Sequence, residues 1–202
     1  MSDALQEQVR RLIDRQQIQD VINDFARAAD RLDRDLYESA CHPDIVFDYG
    51  LFLGGREEFY EWMHTMLVEQ RHSTQHLMGN QTVDIHENTA HAETYFVNSS
   101  VIKNGKPFSM AGGRYIDQLT RHTGGWAIIK RVALIDWQLP LATDAFETPV
   151  PPAAPDHLPP REQALARTRE QGRRDREDLS YQRPLMISPF RLDVPPNPSP
   201  KS

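Results

Sequence analysis

The chain has 202 residues, 39% of them hydrophobic, and a net charge of −6 with both signs scattered. That length supports one core of ordinary size, no Lys/Arg cluster forms a nucleic-acid footprint, and no apolar run approaches a membrane span. The single cysteine, Cys41, excludes an intramolecular disulfide and any cysteine-based zinc site. The polar start MSDALQEQVRR has no leader-like apolar stretch, which predicts a cytoplasmic protein with neither a membrane nor a nucleic-acid partner.

Leu5, Val9, Leu12, Ile13, Ile18, Val21, Ile22, Phe25 and Ala29 recur at three- and four-residue steps and predict an amphipathic first helix. Asp33 is placed to cap a short second helix, RDLYESA. HPDIVFDYG reads as a strand and GGREEFYEWMHTMLVEQ as a third helix. Strands and turns follow. DIHENTAHAETYFVNSSVI is two strands around a polar turn, and Asn104–Gly105 signals a hairpin. RHTGGW is another turn, and WAIIKRVALIDW is a final β-rich strand. The paired glycines at 54–55, 112–113 and 124–125 read as turns or close packing. Helices first and consecutive antiparallel strands afterwards predict an α+β fold, a curved sheet with helices on one face. Thirteen of the 15 prolines lie at or beyond Pro140 and nine of the ten glycines before it. This shift divides the chain into a folded domain, 1–140, and a Pro-rich charged C-terminal extension, 141–202. In the extension, REQALARTREQGRRDRED could form a charged helix. Tyr181, Leu185, Met186, Ile187 and Phe190 are more large apolar groups than a solvated linker needs, which predicts that this segment packs.

Three side chains could do chemistry. Asp30 continues the Ile22–Ala26 stripe of the first helix and lies near its C-terminus, where an anion is disfavoured unless partnered. It suits a general base or the orienting partner of a histidine, or it only bonds the following turn. His76 opens the strand after HSTQ. On a regular strand it shares a face with Met78, Asn80 and Thr82, opposite Leu77, Val83 and Ile85. It reads as a core histidine, an acid/base group or, more weakly, a metal ligand with His72, since no H-E-x-x-H pattern is present. Arg131 alternates with Ala133, Ile135 and Trp137 on a mostly apolar face, where a guanidinium needs an anion: a substrate oxygen or a structural carboxylate such as Asp117. Arg114 raises the same choice, with structure favoured. No nucleophile elbow or phosphate loop is present.

Taken together, INDFARAADRLD, HPDIVFDYG…GGREEF, STQHLMGNQTV, GGRYIDQLTRHTGGWAIIKR and IDW resemble the SnoaL-like polyketide cyclase/dehydratase branch of the nuclear transport factor 2-like superfamily, over residues 8–138. The resemblance implies a cone: a bent antiparallel sheet closed by helices around an apolar pocket. Relatives include dehydratases, a dehydrochlorinase, isomerases, cyclases, aldehyde lyases and non-catalytic binding modules. In the dehydratase and dehydrochlorinase branch an Asp–His dyad performs acid/base work, and Asp30 and His76 match it; Arg131 matches a final-strand arginine. Phe25 stands where the dehydratases carry a tyrosine, so Tyr49 or Tyr95 would take that role, if any does. The implied function is a cofactor-independent, metal-free lyase. It would remove water, halide or formaldehyde from a hydrophobic ring-bearing molecule, in a setting of aromatic-compound catabolism. Phe25, Tyr49, Met78, Asn80, Tyr95 and Trp137 would contact substrate. An isomerase or cyclase using the same dyad and a binding module are the alternatives, and a homo-oligomer, a trimer rather than a dimer, is implied.

Overall fold

The computed structural model describes residues 2–103, 108–122, 124–140, 160–167, 175–177, 181 and 195. Contacts divide the chain into two units, Met1–Asp144 and Ala145–Ser202. The first unit holds three helices, α1 (Asp3–Arg31), α2 (Arg34–Ala40) and α3 (Arg56–Gln70), and six strands: β1 (Cys41–Asp48), β2 (Leu53–Gly54), β3 (Arg71–His86), β4 (Thr89–Ile102), β5 (Phe108–His122) and β6 (Gly125–Pro140). The second has a described helix, α4 (Pro160–Arg167), at the start of the predicted charged helix. The remainder of that segment, the Asn104–Gly105 hairpin signal and the apolar cluster from Leu185 to Phe190 lie outside the described residues.

Each helix begins and ends for a local reason. Ser2 caps α1 by accepting the Leu5 N–H. Leu32 turns left-handed at φ 54° and stops the helix, so that Asp33 is free to cap α2 through the Leu36 N–H at 3.1 Å. The apolar stripe of α1 is buried from Ile18 onward, through Ile22, Phe25 and Ala29. Leu5, Val9, Leu12 and Ile13 keep the period but stay exposed. Burial of each of the inner large residues contributes on the order of 1.5–3 kcal/mol. Phe59, Met63 and Leu67 of α3 join them against Tyr37, Ile45 and Phe47.

The strands form one sheet in the order β2-β1-β6-β5-β4-β3, antiparallel except where β1 runs parallel to β6. The fold is α+β, with the curved sheet and preceding helices of the cone. Breaks in pairing register fall between Met78 and Gln81 on β3 and between Gly112 and Gly113 on β5. Such bulges bend a strand and change which side chains face inward. The second needs its glycines: a Cβ at Gly113 would lie 1.9 Å from the Leu134 carbonyl oxygen, and one at Gly112 would lie 2.3 Å from the Trp137 ring. At the far end of β5, Asp14 of α1 accepts two bonds from Arg121 at 2.7 Å and one from the Trp126 indole at 3.1 Å. Those contacts pin the first helix to the sheet. No described helix is long and apolar enough to cross a membrane.

Candidate active site

The inner face of β3 brings His76 to the last turn of α1. Asp30 takes two bonds from this one residue: Oδ2 accepts the His76 backbone N–H at 2.8 Å, and Oδ1 lies 2.7 Å from Nδ1. Backbone and ring are therefore held together, which fixes the ring more firmly than a side-chain bond alone. Both side chains are nearly buried, at 9% exposure for His76 and 13% for Asp30. The cost of Asp30 at the foot of an apolar stripe is met by these two donors.

The other ring nitrogen, Nε2, lies 2.7 Å from Asn98 Nδ2. Asn98 is the cross-strand partner of His76 on β4. Ser100 Oγ donates to Asn98 Oδ1 at 3.1 Å, which leaves the amide nitrogen as donor. The network thus assigns the tautomer: Nε2 accepts from Asn98, and Nδ1 carries the proton and donates it to Asp30. A line of four polar side chains runs from Ser100 through Asn98 and His76 to Asp30.

His76, Asn98 and Ser100 all line a cavity of about 170 Å³. Its other walls are largely apolar: Phe25 and Ala29 of α1, Trp62, Met63 and Met66 of α3, and Phe96 of β4. Tyr49, Tyr115, Ser109, Gln138 and Arg71 add polar groups. Burial pushes the Tyr115 phenol up to about 12 and the Tyr49 phenol well above its ordinary range, so both remain O–H groups at neutral pH.

Arg131 stands behind that wall. It is fully buried, and its Nε and Nη2 each donate to Asp117, also fully buried, at 2.7 Å. Its guanidinium stacks 4.3 Å from the Phe25 ring centroid and 4.2 Å from that of Tyr115. Burial opposes its charge, but Asp117 overrides this and holds the group above its ordinary range. Of the two anions open to it, Arg131 has the structural one, so direct contact with a substrate oxygen is corrected to a place behind the aromatic lining. Nη1 and the Tyr49 hydroxyl are both buried, and Arg131 and Tyr115 both lie close enough to act on the Tyr49 phenol. Arg114 pairs with Asp136 at 2.9 and 3.0 Å, as a structural cation.

Of the other expected contacts, Phe25 and Tyr49 line the cavity, and four do not. Met78 packs against the core. Asn80 is exposed, because the bulge after Met78 breaks the alternation. The same bulge returns Val83, expected opposite His76, to the core. Tyr95 is 48% exposed and Trp137 42% exposed on the outside of the sheet. Trp137 leaves the Arg131 face because β6 carries an extra residue between the pairs Gly113–Ile135 and Gly112–Trp137. Sequence reading missed Asn98, Ser100 and Arg71. Phe96, Asn98 and Ser100 alternate in YFVNSS, which is an inward-facing signal once β4 is known to pair with β3. No cluster of three or more His, Cys, Asp or Glu is disposed to hold a metal among the described residues.

A mostly antiparallel cone wrapped on helices, with a histidine bonded to an aspartate at the wall of an apolar cavity, is the architecture of a nuclear transport factor 2-like protein. The chain belongs to the SnoaL-like domain family, whose model matches residues 10–132. No curated protein matches the sequence. Among solved structures, it is similar to hexachlorocyclohexane dehydrochlorinase LinA-type3 from Novosphingobium barchaimii LL02, at 19% identity over 70% of this chain and 99% of that one, with a TM-score of 0.64. A candidate scytalone dehydratase from Novosphingobium aromaticivorans DSM 12444 is 16% identical over 66% and 91% of the two chains, TM-score 0.61. A candidate aromatic ring hydroxylase from Novosphingobium aromaticivorans is 25% identical over 62% and 91%, TM-score 0.58. At these identities the likeness is one of fold.

Proposed function

We propose that the protein is a lyase that eliminates water, halide or formaldehyde from a hydrophobic ring-bearing small molecule, using protein groups alone. The observation that carries this reading is the Asp30–His76–Asn98–Ser100 line ending at the wall of an apolar cavity. The names of two fold neighbours, a dehydrochlorinase and a candidate scytalone dehydratase, point the same way.

His76 Nε2 is the base. With the Nδ1 proton committed to Asp30, Nε2 is the nitrogen with a lone pair. A substrate C–H displaces the Asn98 amide from that lone pair, and Nε2 takes the proton. For water or halide, the C–H bonding pair forms the new double bond and the leaving group departs with its own bonding pair. For formaldehyde, Nε2 takes the hydroxymethyl O–H proton instead, the O–H pair becomes the C=O bond of formaldehyde, and the C–C pair stays on the substrate carbon, which takes the proton back from the imidazolium. The imidazolium so formed lies against the Asp30 carboxylate, and the displaced Asn98 N–H is free to donate to a substrate oxygen. The Tyr49 hydroxyl donates to the departing group. Arg131 acts on it electrostatically from behind the wall, the role left to that arginine once Asp117 has taken two of its donors.

The deciding experiment incubates the full chain with cyclic alcohols, halides and hydroxymethyl aromatics and follows products by mass spectrometry. Loss of 18 mass units, of hydrogen halide or of formaldehyde, abolished in His76→Ala, is expected. An unchanged mass with a moved double bond makes the same dyad an isomerase, and binding without conversion makes the protein a binding module.

The outer sheet face supports a homo-oligomer, with a trimer as the proposed form: Leu77 is 65% exposed and Leu139 50%, beside Tyr95 and Trp137. Light scattering should show a multimer that Leu77→Lys with Tyr95→Lys reduces to smaller species; a monomer in the unmodified protein overturns this.

A further inference from the structure

The strand register lays out the cavity floor in rows. His76 on β3 pairs with Asn98 on β4, Asn98 with Ala111 on β5, and Ala111 with Gln138 on β6. All four line the cavity. The row is polar toward both ends and small at Ala111 between them. On the side of the helices, α3 contributes the apolar Trp62, Met63 and Met66. A flat ring in this cavity therefore has an apolar face above it, space over Ala111, and hydrogen-bonding groups at two opposite edges. The two edges differ in depth. The His76 side chain is nearly buried, whereas Gln138 is exposed as well as cavity-lining, which puts it at the mouth. Trp137, the residue before it, lies on the outside of the sheet, so alternation turns Gln138 inward.

We propose that Gln138 is a specificity residue at the mouth of this cavity, and that the substrate is a single-ring molecule carrying an uncharged hydroxyl or carbonyl on the side of the ring away from the reacting carbon. The proposal rests on the reading of His76 as the base. Neighbouring strands lie about 4.8 Å apart, so His76 and Gln138 stand about 14 Å apart along the sheet. Their side chains take up part of that span, and the remainder suits one substituted ring. The volume agrees: about 170 Å³ is close to cavities of roughly 150 Å³ that admit a benzene. The amide selects the substituent. Its carbonyl accepts from a hydroxyl, and its NH₂ donates to a hydroxyl or carbonyl oxygen. Water bonds the same amide when the site is empty, so the exchange adds selectivity rather than a large affinity. The ring enters with its reacting end first, toward His76, and its oxygen stays at Gln138.

Calorimetric titration of the full chain with 4-hydroxyacetophenone and acetophenone tests this without any turnover, since neither carries a leaving group. Both offer a carbonyl to Asn98, and they differ only in the hydroxyl at the far end of the ring. The titration is run at about pH 6, below the ionisation of a phenol. The unmodified protein should bind the hydroxylated ketone about 3- to 10-fold more tightly, as expected for one neutral hydrogen bond. Gln138→Leu should remove the preference and leave the acetophenone affinity within a few-fold, while Gln138→Glu, which still accepts from the hydroxyl, should keep it. No preference in the unmodified protein, or a preference undiminished in a normally melting Gln138→Leu, overturns the proposal. If Gln138→Leu melts early, Gln138→Asn decides: its shorter amide should weaken the preference, and one kept in full overturns the role. His76→Ala separates the two readings. It should keep the hydroxyl preference while losing elimination, so a failed preference beside intact His76-dependent turnover removes only the role of Gln138.

Discussion

Asp30 and Asp117 each hold a nitrogenous side chain at 2.7 Å inside one cone. Asp117 and Arg131 are sealed, with no exposed surface on either side chain. Asp30 and His76 keep a little, and the imidazole lines a cavity. The chemistry differs accordingly. Arg131 never gives up its proton, so its pair neutralises charge in the core and supports the aromatic wall from behind. In the proposed mechanism His76 exchanges a proton and the Asp30 carboxylate stabilises the imidazolium. Titratability combined with access is what separates the proposed catalytic pair from a supporting one.

Breaking the open pair should have the largest effect on turnover. His76→Ala and Asp30→Asn should each lower kcat by about 10²–10⁴ while Tm moves little. The double variant should lose far less than the sum, because the two residues act as a unit. Full activity in either single variant would remove the mechanism. Breaking the sealed pair should instead cost stability. Arg131→Met leaves Asp117 buried without its cation and should cost about 3–5 kcal/mol in urea unfolding, whereas Arg131→Met with Asp117→Leu should recover much of it. A single variant as stable as the unmodified protein would contradict the structural assignment.

A smaller effect sharpens the tautomer assignment. Asn98→Leu removes the donor to Nε2 and should lower kcat/KM by about 10-fold, the value of one hydrogen bond of roughly 1.5 kcal/mol. Ser100→Ala, one bond further out, should do less. If Ser100→Ala proves the more damaging, the order of the network is wrong.

The smallest expected effect concerns alkaline pH. Burial pushes the Cys41 thiol from 9.0 to about 12 and the Tyr115 phenol from 10.0 to about 12. Both groups ionise more readily when unfolded. Their contribution is complete below about pH 8 and declines as pH rises toward 12. Urea midpoints should fall between pH 8.5 and 11, with Cys41→Ala flattening part of the slope, and native Cys41 should resist alkylation at pH 8. A midpoint that rises over that range would contradict the sign.

Much of the architecture was legible in the linear chain because local chemistry specifies it. Apolar spacing marks α1, Asp33 marks the start of α2, and the polar turns separate the strands. Asp30 was legible too: a carboxylate on an apolar helical stripe stands out wherever the helix packs. His76 could be singled out, but its two ring contacts could not, since Asn98 reaches it only through the β3–β4 register. Met78, Asn80, Tyr95 and Trp137 mark the limit of sequence reading. A strand alternates with period two until a bulge adds a residue, and the bulges at Met78–Gln81 and Gly112–Gly113 are set by strand curvature and by which neighbour lies across. Arg131 was ambiguous for a related reason. The sequence determined that a guanidinium on an apolar face must meet an anion, and the pairing of Asp117 with Arg131 across β5 and β6 decided which one. Arg71 carried no signal of its own, since an arginine at a helix–strand junction is ordinary until the walls of a cavity close around it.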